Sequence, residues 1–219
     1  KFAEGVGPGS RIALRDAEGV ILAVMTVSDK WTPNKAHEAA QVFGADRPLW
    51  LEVGFGGGEH LMHMASLYPE VSIIGAEPFV NGIAMLLGKI RQAEVQNLCL
   101  HPGDVRDLFD VLPAACLSKV FLNYPDPWPK ARHHRRRFVT QGYLTALARC
   151  CAQGAEFRVA TDIPDYVRQT LEEVPQAGFD LLAQTGQGAA WDDWLSTRYE
   201  QKALREGRDP HYLTFRRQG

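Results

Sequence analysis

The chain has 219 residues, of which 45% are hydrophobic and 23% are charged, and its formal net charge is −2. This composition is typical of a globular protein with one sizeable core, or with one core and an appendage, and it excludes the disordered class. The longest apolar stretches are much shorter than the roughly 20 residues that a membrane helix needs, and no signal peptide is evident. We therefore expect a cytoplasmic protein with no membrane partner.

The cysteine and histidine spacing gives little support to a metal site. The chain has four cysteines, Cys99, Cys116, Cys150 and Cys151, and none of them forms a C-x-x-C pair. We expect reduced core thiols rather than a disulfide framework. His60 and His63 lie one turn apart in a predicted helix without a third ligand, so the sequence predicts no metal.

Residues 1–46 differ from the rest of the chain in their pattern of apolar and turn residues. Two apolar runs, Ile12–Leu14 and Val20–Val27, flank a turn sequence at 16–19, which is typical of a β-hairpin, and a short helix is expected at 35–43. Residues 10–44 resemble part of the N-terminal PUA-like β domain of bacterial ATP sulfurylases, which would make the chain composite. That family's nucleotide-binding motifs are not found here, so no sulfurylase activity is expected. We predict a β-rich appendage over 1–46 and a main domain over 47–219.

From Pro48 onward, apolar strands alternate with helical patterns, which predicts a parallel sheet with helices on both faces. The expected strands are Leu49–Val53, Val71–Ala76, Leu98–His101, Lys119–Asn123 and Ala155–Ala160. The expected helices are Glu59–Tyr68, Phe79–Ala93, Val105–Leu112, Phe138–Ala152 and Ile163–Val174. Phe179–Gln184 and His211–Arg216 are expected to close the sheet as an antiparallel pair.

Acidic residues lie at or near the ends of nearly all these strands. They are Glu52, Glu77, Asp104, Asp126 and Asp162. Right-handed crossovers bring parallel strand ends to one edge, where ligands bind in open α/β sheets. We therefore expect a ligand site rich in carboxylates at that edge.

Three glycines at the same edge, Gly54, Gly56 and Gly58, predict a tight turn over which a nucleoside-bearing ligand can lie. The dinucleotide fingerprint G-x-G-x-x-G has a third glycine where this chain has Glu59, whose carboxylate would face a pyrophosphate. S-adenosylmethionine (SAM) has no phosphate and carries a positive sulfonium and a positive ammonium. The acids around the turn therefore favour SAM over a dinucleotide.

A proline-rich loop followed by a basic run comes after the strand 119–123. Pro125, Pro127 and Pro129 have no N–H to donate, and each is expected to hold the preceding residue extended, so Asp126 and Trp128 are predicted to lie on a stiff loop. The cations and histidines that follow are Lys130, Arg132, His133, His134, Arg135, Arg136 and Arg137. Such a density of positive charge favours a polyanionic partner. The alternative is a surface turn followed by a solvated basic helix start.

The order and spacing of several segments resemble those of the bacterial tRNA (guanine-N7-)-methyltransferase family. These segments are LEVGFGGG, GAEP, NYPDPWPKARHHRRR, ATD and TRYE, together with the position of Asp104. The resemblance covers about residues 49–217. It implies a Rossmann-like class I SAM-dependent methyltransferase sheet and transfer of a methyl group to N7 of a guanosine in tRNA, usually in the variable loop. Monomer and homodimer both remain open.

Matching positions imply roles for particular residues. The SAM-binding residues implied by the family are Glu52, Glu77, Asp104 and Asp126, to which the glycine turn adds Gly54, Gly56 and Gly58. Asp126 is also the implied catalytic residue. The implied substrate-binding residues are Lys130, Asp162, Thr197, Arg198, Tyr199 and Glu200, and the implied RNA contacts are Arg132, His133, His134, Arg135, Arg136 and Arg137.

The chemistry of guanine N7 fits such a site. N7 carries a free lone pair, so no proton must be removed from the nucleophile and alignment should dominate catalysis. Asp126 or Asp162 can accept hydrogen bonds from guanine, and Trp128 or Tyr124 can stack on an extruded base. Two other functions remain open, an NAD-dependent oxidoreductase and a non-catalytic RNA-binding module. For residues 197–200, the structural alternative is that they only cap and begin a helix.

Overall fold

The computed structural model describes residues 6–15, 21–28 and 47–219. The chain divides into two compact units, Lys1–Glu38 and Ala39–Gly219. In the first unit, β1 (Arg11–Arg15) pairs antiparallel with β2 (Ile21–Thr26), as the hairpin prediction requires. The predicted turn at 16–19, the predicted helix at 35–43 and the predicted domain boundary at 46 lie outside the described residues.

The second unit contains a seven-stranded sheet. Its strands are β3 (Leu49–Val53), β4 (Ser72–Ala76), β5 (Leu98–His101), β6 (Leu117–Asn123), β7 (Cys151–Thr161), β8 (Phe179–Thr185) and β9 (His211–Arg217). The strand order is β5-β4-β3-β6-β7-β9-β8. The first five strands are parallel, and β9 runs antiparallel to both β7 and β8. The predicted parallel sheet and its antiparallel closing pair are therefore confirmed.

Six α-helices and one 3-10 helix connect the described strands of this unit. The α-helices are α1 (Glu59–Leu67), α2 (Val80–Ala93), α3 (Arg106–Phe109), α4 (Gln141–Cys150), α5 (Pro164–Gln176) and α6 (Arg198–Arg205), and the 3-10 helix is Ala131–Arg136. The helix predicted over 138–152 is shorter at both ends. Thr140 and Cys151 have extended backbones, and Cys151 already begins β7.

Apolar side chains alternate between the two faces of the sheet. Leu51 and Val120 are fully buried in the cluster that includes residues of α4 and α5, whereas Trp50 and Phe121 pack in the cluster that includes residues of α1 and α2. Successive side chains of a strand point to opposite faces of the sheet. Two neighbouring residues of a strand therefore pack against the helices on opposite sides. The result is a Rossmann-like sheet with helices on both faces, as predicted.

The cysteines are free thiols: two are buried and two are half-buried. Burial raises the pKa of Cys116 to about 11 and that of Cys151 to about 12, so both thiols stay protonated at neutral pH. Within the described ranges, no helix is long and apolar enough to cross a membrane.

Candidate functional site

A cavity of about 500 Å³ opens at the carboxyl ends of β3, β4 and β6. The sheet order changes direction between β3 and β6, and this switch point is where open α/β sheets bind ligands. The volume lies within the range of small-molecule and cofactor sites. The predicted site residues that line the cavity are Gly54, Gly56, Glu77, Asp104, Asp126, Arg136, Arg137 and Tyr199.

The glycine turn after β3 forms one wall of the cavity. Gly54 and Gly56 have φ values of 69° and 56°, a region that glycine enters without strain. The first turn of α2 packs directly against this wall, because a Cβ added to Gly82 would lie 2.2 Å from the carbonyl oxygen of Gly56. The position of the turn therefore depends on a glycine that lies 26 residues further along the chain.

We expect Gly82→Ala to destabilise the protein and to displace this turn. The added methyl group meets a backbone oxygen, which cannot rotate away, and such overpacking typically costs about 1–3 kcal/mol in unfolding free energy. Gly88→Ala is the matched control in the same helix, because nothing lies within 4 Å of its added Cβ, and it should stabilise the protein by about 0.5–1 kcal/mol. Denaturant unfolding measures both. Equal stabilities for the two variants would contradict the close approach.

Glu77 ties the glycine turn to the start of α2. Its Oε2 accepts a hydrogen bond from the backbone N–H of Gly56 at 2.7 Å, and its Oε1 accepts one from the N–H of Phe79 at 2.8 Å. The residue is only 8% exposed. Since an ionised carboxylate has about four acceptor positions, Glu77 keeps acceptor capacity toward the cavity.

Asp104 pairs with Arg106, a cavity residue that was not predicted from the sequence. The Arg106 guanidinium hydrogen-bonds the Asp104 side chain and holds the pKa of that carboxyl below its usual range. Arg106 also donates to the Tyr143 hydroxyl at 2.6 Å, and all three residues line the cavity. Tyr143 belongs to α4, far along the chain, so no local pattern pointed to it.

The proline-rich loop after β6 forms the opposite wall. Tyr124 and Trp128 have φ values of 48° and 39°, so the expectation that each proline would hold its preceding residue extended is wrong for these two. Positive φ is strained for residues with a side chain. Tyr124 is held by its N–H, which donates to the carbonyl of Ala160 at 2.8 Å.

Asp126, between these two residues, lines the cavity and is exposed. Its carboxylate makes no hydrogen bond or ion pair with any residue of the described ranges. A carboxylate at a cavity wall that makes no hydrogen bond or ion pair with the described residues is available to a ligand.

The basic run divides into exposed and buried members. Arg132, Arg135 and Arg136 are exposed, and the Arg136 guanidinium lies 4.8 Å from the centre of the Trp128 ring. His133 and His134 are half-buried. The side chain of Arg137 is 0% exposed, and this position is at odds with its predicted role as an RNA contact.

Glu52 and Gly58 were predicted to bind the cofactor, but neither lines the cavity. Glu52 is buried on the side of α1, where its Oε2 lies 2.8 Å from Nδ1 of His60. Gly58 caps the start of α1 with φ 73°, and Leu86 fills the space beside it. The alternation of side chains along β3 explains why Glu52 lies outside the cavity, because its side chain points to the same face of the sheet as that of Trp50.

The histidines of α1 have protein partners, as expected for helix histidines. His60 contacts Glu52, and His63 Nε2 lies 3.1 Å from the carbonyl oxygen of Asp193. In the part of the chain that the structure describes, no group of three or more His, Cys, Asp or Glu residues is placed to hold a metal.

In the segment 197–200, only Tyr199 lines the cavity. Thr197 caps α6, since its hydroxyl accepts from the N–H of Glu200 at 3.3 Å, which fits the structural alternative for this residue. The carboxylate of Glu200 is buried and accepts from Trp194 and Tyr212, both at 2.6 Å. Burial and this hydrogen bond raise the pKa of Tyr212, so its hydroxyl remains a donor.

Three other predicted substrate-binding residues lie outside the cavity lining. Asp162 accepts from Nε of Arg208 at 2.5 Å, and its side chain is 12% exposed. Lys130 is exposed at the start of the 3-10 helix. Arg198 is exposed at the start of α6, and one of its terminal nitrogens would lie 3.5 Å from a Cβ added to Gly56.

Comparison with known families gives two matches along the chain. A family described as a putative methyltransferase matches residues 46–213, and a PUA-like domain matches residues 1–63. A tRNA (guanine-N(7)-)-methyltransferase of Cereibacter sphaeroides is 76% identical over 178 residues, which cover 81% of this chain and 73% of the relative. A protein of the same name from Ruegeria sp. (strain TM1040) is 61% identical over 211 residues, which cover 94% of this chain and 82% of the relative.

Solved structures share the fold at low sequence identity. The 16S rRNA methyltransferase KamB has a TM-score of 0.61 and 17% identity, over 87% of this chain and 96% of that chain. A 16S rRNA (adenine(1408)-N(1))-methyltransferase with its cosubstrate SAM has a TM-score of 0.59 and 16% identity, over 87% and 94% of the two chains. These likenesses confirm the predicted Rossmann-like methyltransferase fold.

Proposed function

Because the chain belongs to the tRNA (guanine-N(7)-)-methyltransferase family, we propose that it transfers a methyl group from SAM to N7 of a guanosine in the variable loop of tRNA. The observation that carries the proposal is that Glu77 and Asp126, which follow different strands, line one cavity beside the exposed arginines. One cavity can thus hold a methyl donor and a base next to a surface suited to phosphates.

The residues of the first wall fit SAM. Gly54 and Gly56 add no side chains of their own to this wall, and the spare acceptor positions of Glu77 suit the two hydroxyls of a ribose. The carboxylates of Glu77, Asp104 and Asp126 also suit a ligand with positive sulfonium and ammonium groups. When bound, SAM supplies an electrophilic methyl group.

The proline-rich loop would receive the guanine. Asp126 can accept hydrogen bonds from N1–H and the exocyclic amine of guanine, a pattern that adenine lacks. Trp128 or Tyr124 can stack on the extruded base. As positive charge grows on the purine, the Asp126 carboxylate stabilises it, because a fixed charge placed where charge develops lowers the barrier.

The remaining assignments concern the rim of the cavity. We propose that Lys130 and Arg198 bind substrate phosphates, and that Thr197 and Glu200 act by holding α6 so that Tyr199 lines the cavity. For Asp162, we propose that Oδ1 contacts the substrate while Oδ2 keeps its hydrogen bond from Arg208. Glu52 and Gly58 would support the SAM wall from behind and would not contact SAM.

The exposed arginines would bind the tRNA backbone. We expect replacement of Arg132, Arg135 and Arg136 by alanine to weaken tRNA binding and to lower the slope of log affinity against log salt by about 2, because each lost phosphate contact removes roughly 0.7–0.9 from that slope. Filter binding at several salt concentrations measures this. Arg168→Ala, which removes an exposed arginine of α5, should leave the slope unchanged. An unchanged slope in the triple variant would show that the arginines of the basic run have a structural role and do not bind the tRNA backbone.

The N-terminal segment and the assembly state complete the proposal. We propose that residues 1–46 form a β-rich appendage of the PUA-like type and that 47–219 form the methyltransferase domain; the narrower resemblance to ATP sulfurylases stays a prediction. The alignment of 211 residues with the Ruegeria relative must include part of the first unit. We also propose a cytoplasmic location, where tRNA is found, and a monomer or homodimer.

Binding and transfer experiments test the function against its two alternatives. Calorimetric titration should show SAM binding and no NAD binding, and the reverse result would favour an oxidoreductase. Incubation with labelled SAM and unmodified tRNA should label the tRNA. Binding of tRNA without transfer of the label would favour a non-catalytic RNA-binding module.

A further inference from the structure

Arg137 is the last cation of the basic run, and its environment differs from that of its neighbours. Its side chain is 0% exposed, whereas Arg132, Arg135 and Arg136 are exposed. The chain leaves the 3-10 helix at Arg137 with an extended backbone. A guanidinium is stable in such a buried place only when its donors are paired.

The Arg137 guanidinium connects the proline-rich loop to α5. On the loop side, Nε donates to the carbonyl of Pro127 at 2.9 Å and Nη2 to that of Trp128 at 3.4 Å. On the α5 side, Nη1 donates to the Gln169 side chain and pairs with Asp165, both at 2.9 Å. The planar fork of arginine suits such simultaneous contacts in two directions.

The loop needs donors from elsewhere in the protein. Pro125, Pro127 and Pro129 have no N–H, so the carbonyl groups are the natural points at which the rest of the molecule can hold this segment. The positive φ of Trp128 is a strained conformation, and such strain persists only where the surroundings over-determine it. Arg137 donates to the two backbone carbonyls that flank the Cα of this strained residue, those of Pro127 and Trp128.

We propose that Arg137 is a positioning residue that fixes the Asp126–Trp128 segment against α5, and that it does not contact RNA. The kinetic part of this inference rests on the proposed function. Loss of this connection would displace Asp126. A displacement of about 1 Å of a reacting group can lower the rate about 100-fold. Arg136, which is exposed and lies over the Trp128 ring, would bind RNA instead.

A structural experiment tests the positioning role without any assay of activity. Protein labelled with 5-fluorotryptophan should give five ¹⁹F signals, one for each tryptophan, and Trp128→Phe identifies the signal of Trp128. In Arg137→Met, this signal should move toward its position in urea-unfolded protein while the other four stay in place. In Arg168→Met, which removes an exposed partner of the same Asp165, all five should stay in place. An unmoved Trp128 signal in Arg137→Met overturns the proposal.

A kinetic experiment then separates positioning from RNA binding. Arg137→Met should lower kcat at least about tenfold, the loss expected for one hydrogen bond from a charged group, with KM for tRNA and its salt dependence unchanged. Arg136→Met should raise KM instead. A raised KM and a lower salt slope in Arg137→Met would overturn the proposal.

The positioning role of Arg137 can still be tested if Arg137→Met does not fold or if the wild-type protein is inactive. If Arg137→Met does not fold, Gln169→Met removes one partner of the guanidinium without burying an unpaired charge, and its Trp128 signal must move in the same direction for the proposal to stand. If the wild-type protein transfers no methyl group, the proposed function fails, but the ¹⁹F signals still decide whether Arg137 fixes the loop.

Discussion

We expect Asp126→Ala to lower kcat for methyl transfer at least about 100-fold and to leave the fold intact. The magnitude follows from the loss of a fixed charge beside the place where positive charge develops. The fold should survive because the Asp126 side chain is exposed and makes no hydrogen bond or ion pair within the described residues. Initial rates with labelled SAM and saturating tRNA, together with thermal unfolding, measure both effects.

Asp110→Ala is the matched control. Asp110 is also an exposed aspartate without a side-chain partner among the described residues, but it does not line the cavity. Its replacement should change neither kcat nor unfolding temperature. Near-normal turnover in Asp126→Ala, or an equal loss in both variants, would contradict the role that we assign to Asp126.

We expect Glu77→Gln to weaken SAM binding about 10- to 100-fold. The substitution replaces one carboxylate oxygen by an NH₂ group, which then faces the N–H of Gly56 or of Phe79 instead of accepting from it. Hydrogen bonds to charged groups contribute about 1.5–3 kcal/mol, and every 1.4 kcal/mol is a factor of ten in affinity. The glycine turn therefore loses its anchor, and the cavity loses an acceptor for the ribose.

Calorimetric titration with SAM measures this loss. Glu70→Gln, which changes an exposed glutamate after α1, is the control and should bind SAM like the wild type. If Glu77→Gln binds SAM with unchanged affinity, Glu77 does not face the donor, and the assignment of the first wall to SAM fails.

The sequence predicted the sheet and the edge where the cavity lies, because these follow from local patterns. Short apolar runs followed by Glu77, Asp104 and Asp126 mark parallel strands, and parallel strand ends must meet at one edge. The glycines after β3 predicted a tight turn for a similar reason, since the ability to adopt positive φ is a property of a single residue.

The parts that were not predicted depend on neighbours that are distant in sequence. Arg137 belongs to a charge run that a local analysis assigns to the surface, and its buried partner Gln169 lies 32 residues away. Tyr143 lines the cavity because α4 packs beside the Asp104 loop, which no pattern within α4 indicates. The strained backbones of Tyr124 and Trp128 override a local proline rule because tertiary hydrogen bonds hold both residues.

The most direct test of the central claim compares two tRNA transcripts that differ only at guanine N7. One contains guanosine, and the other contains 7-deazaguanosine, in which a C–H group replaces N7 and removes the nucleophilic lone pair. Both should bind the protein equally, and only the guanosine transcript should accept label from SAM. Equal labelling of the two transcripts, or tight binding of both without any labelling, would contradict transfer to N7.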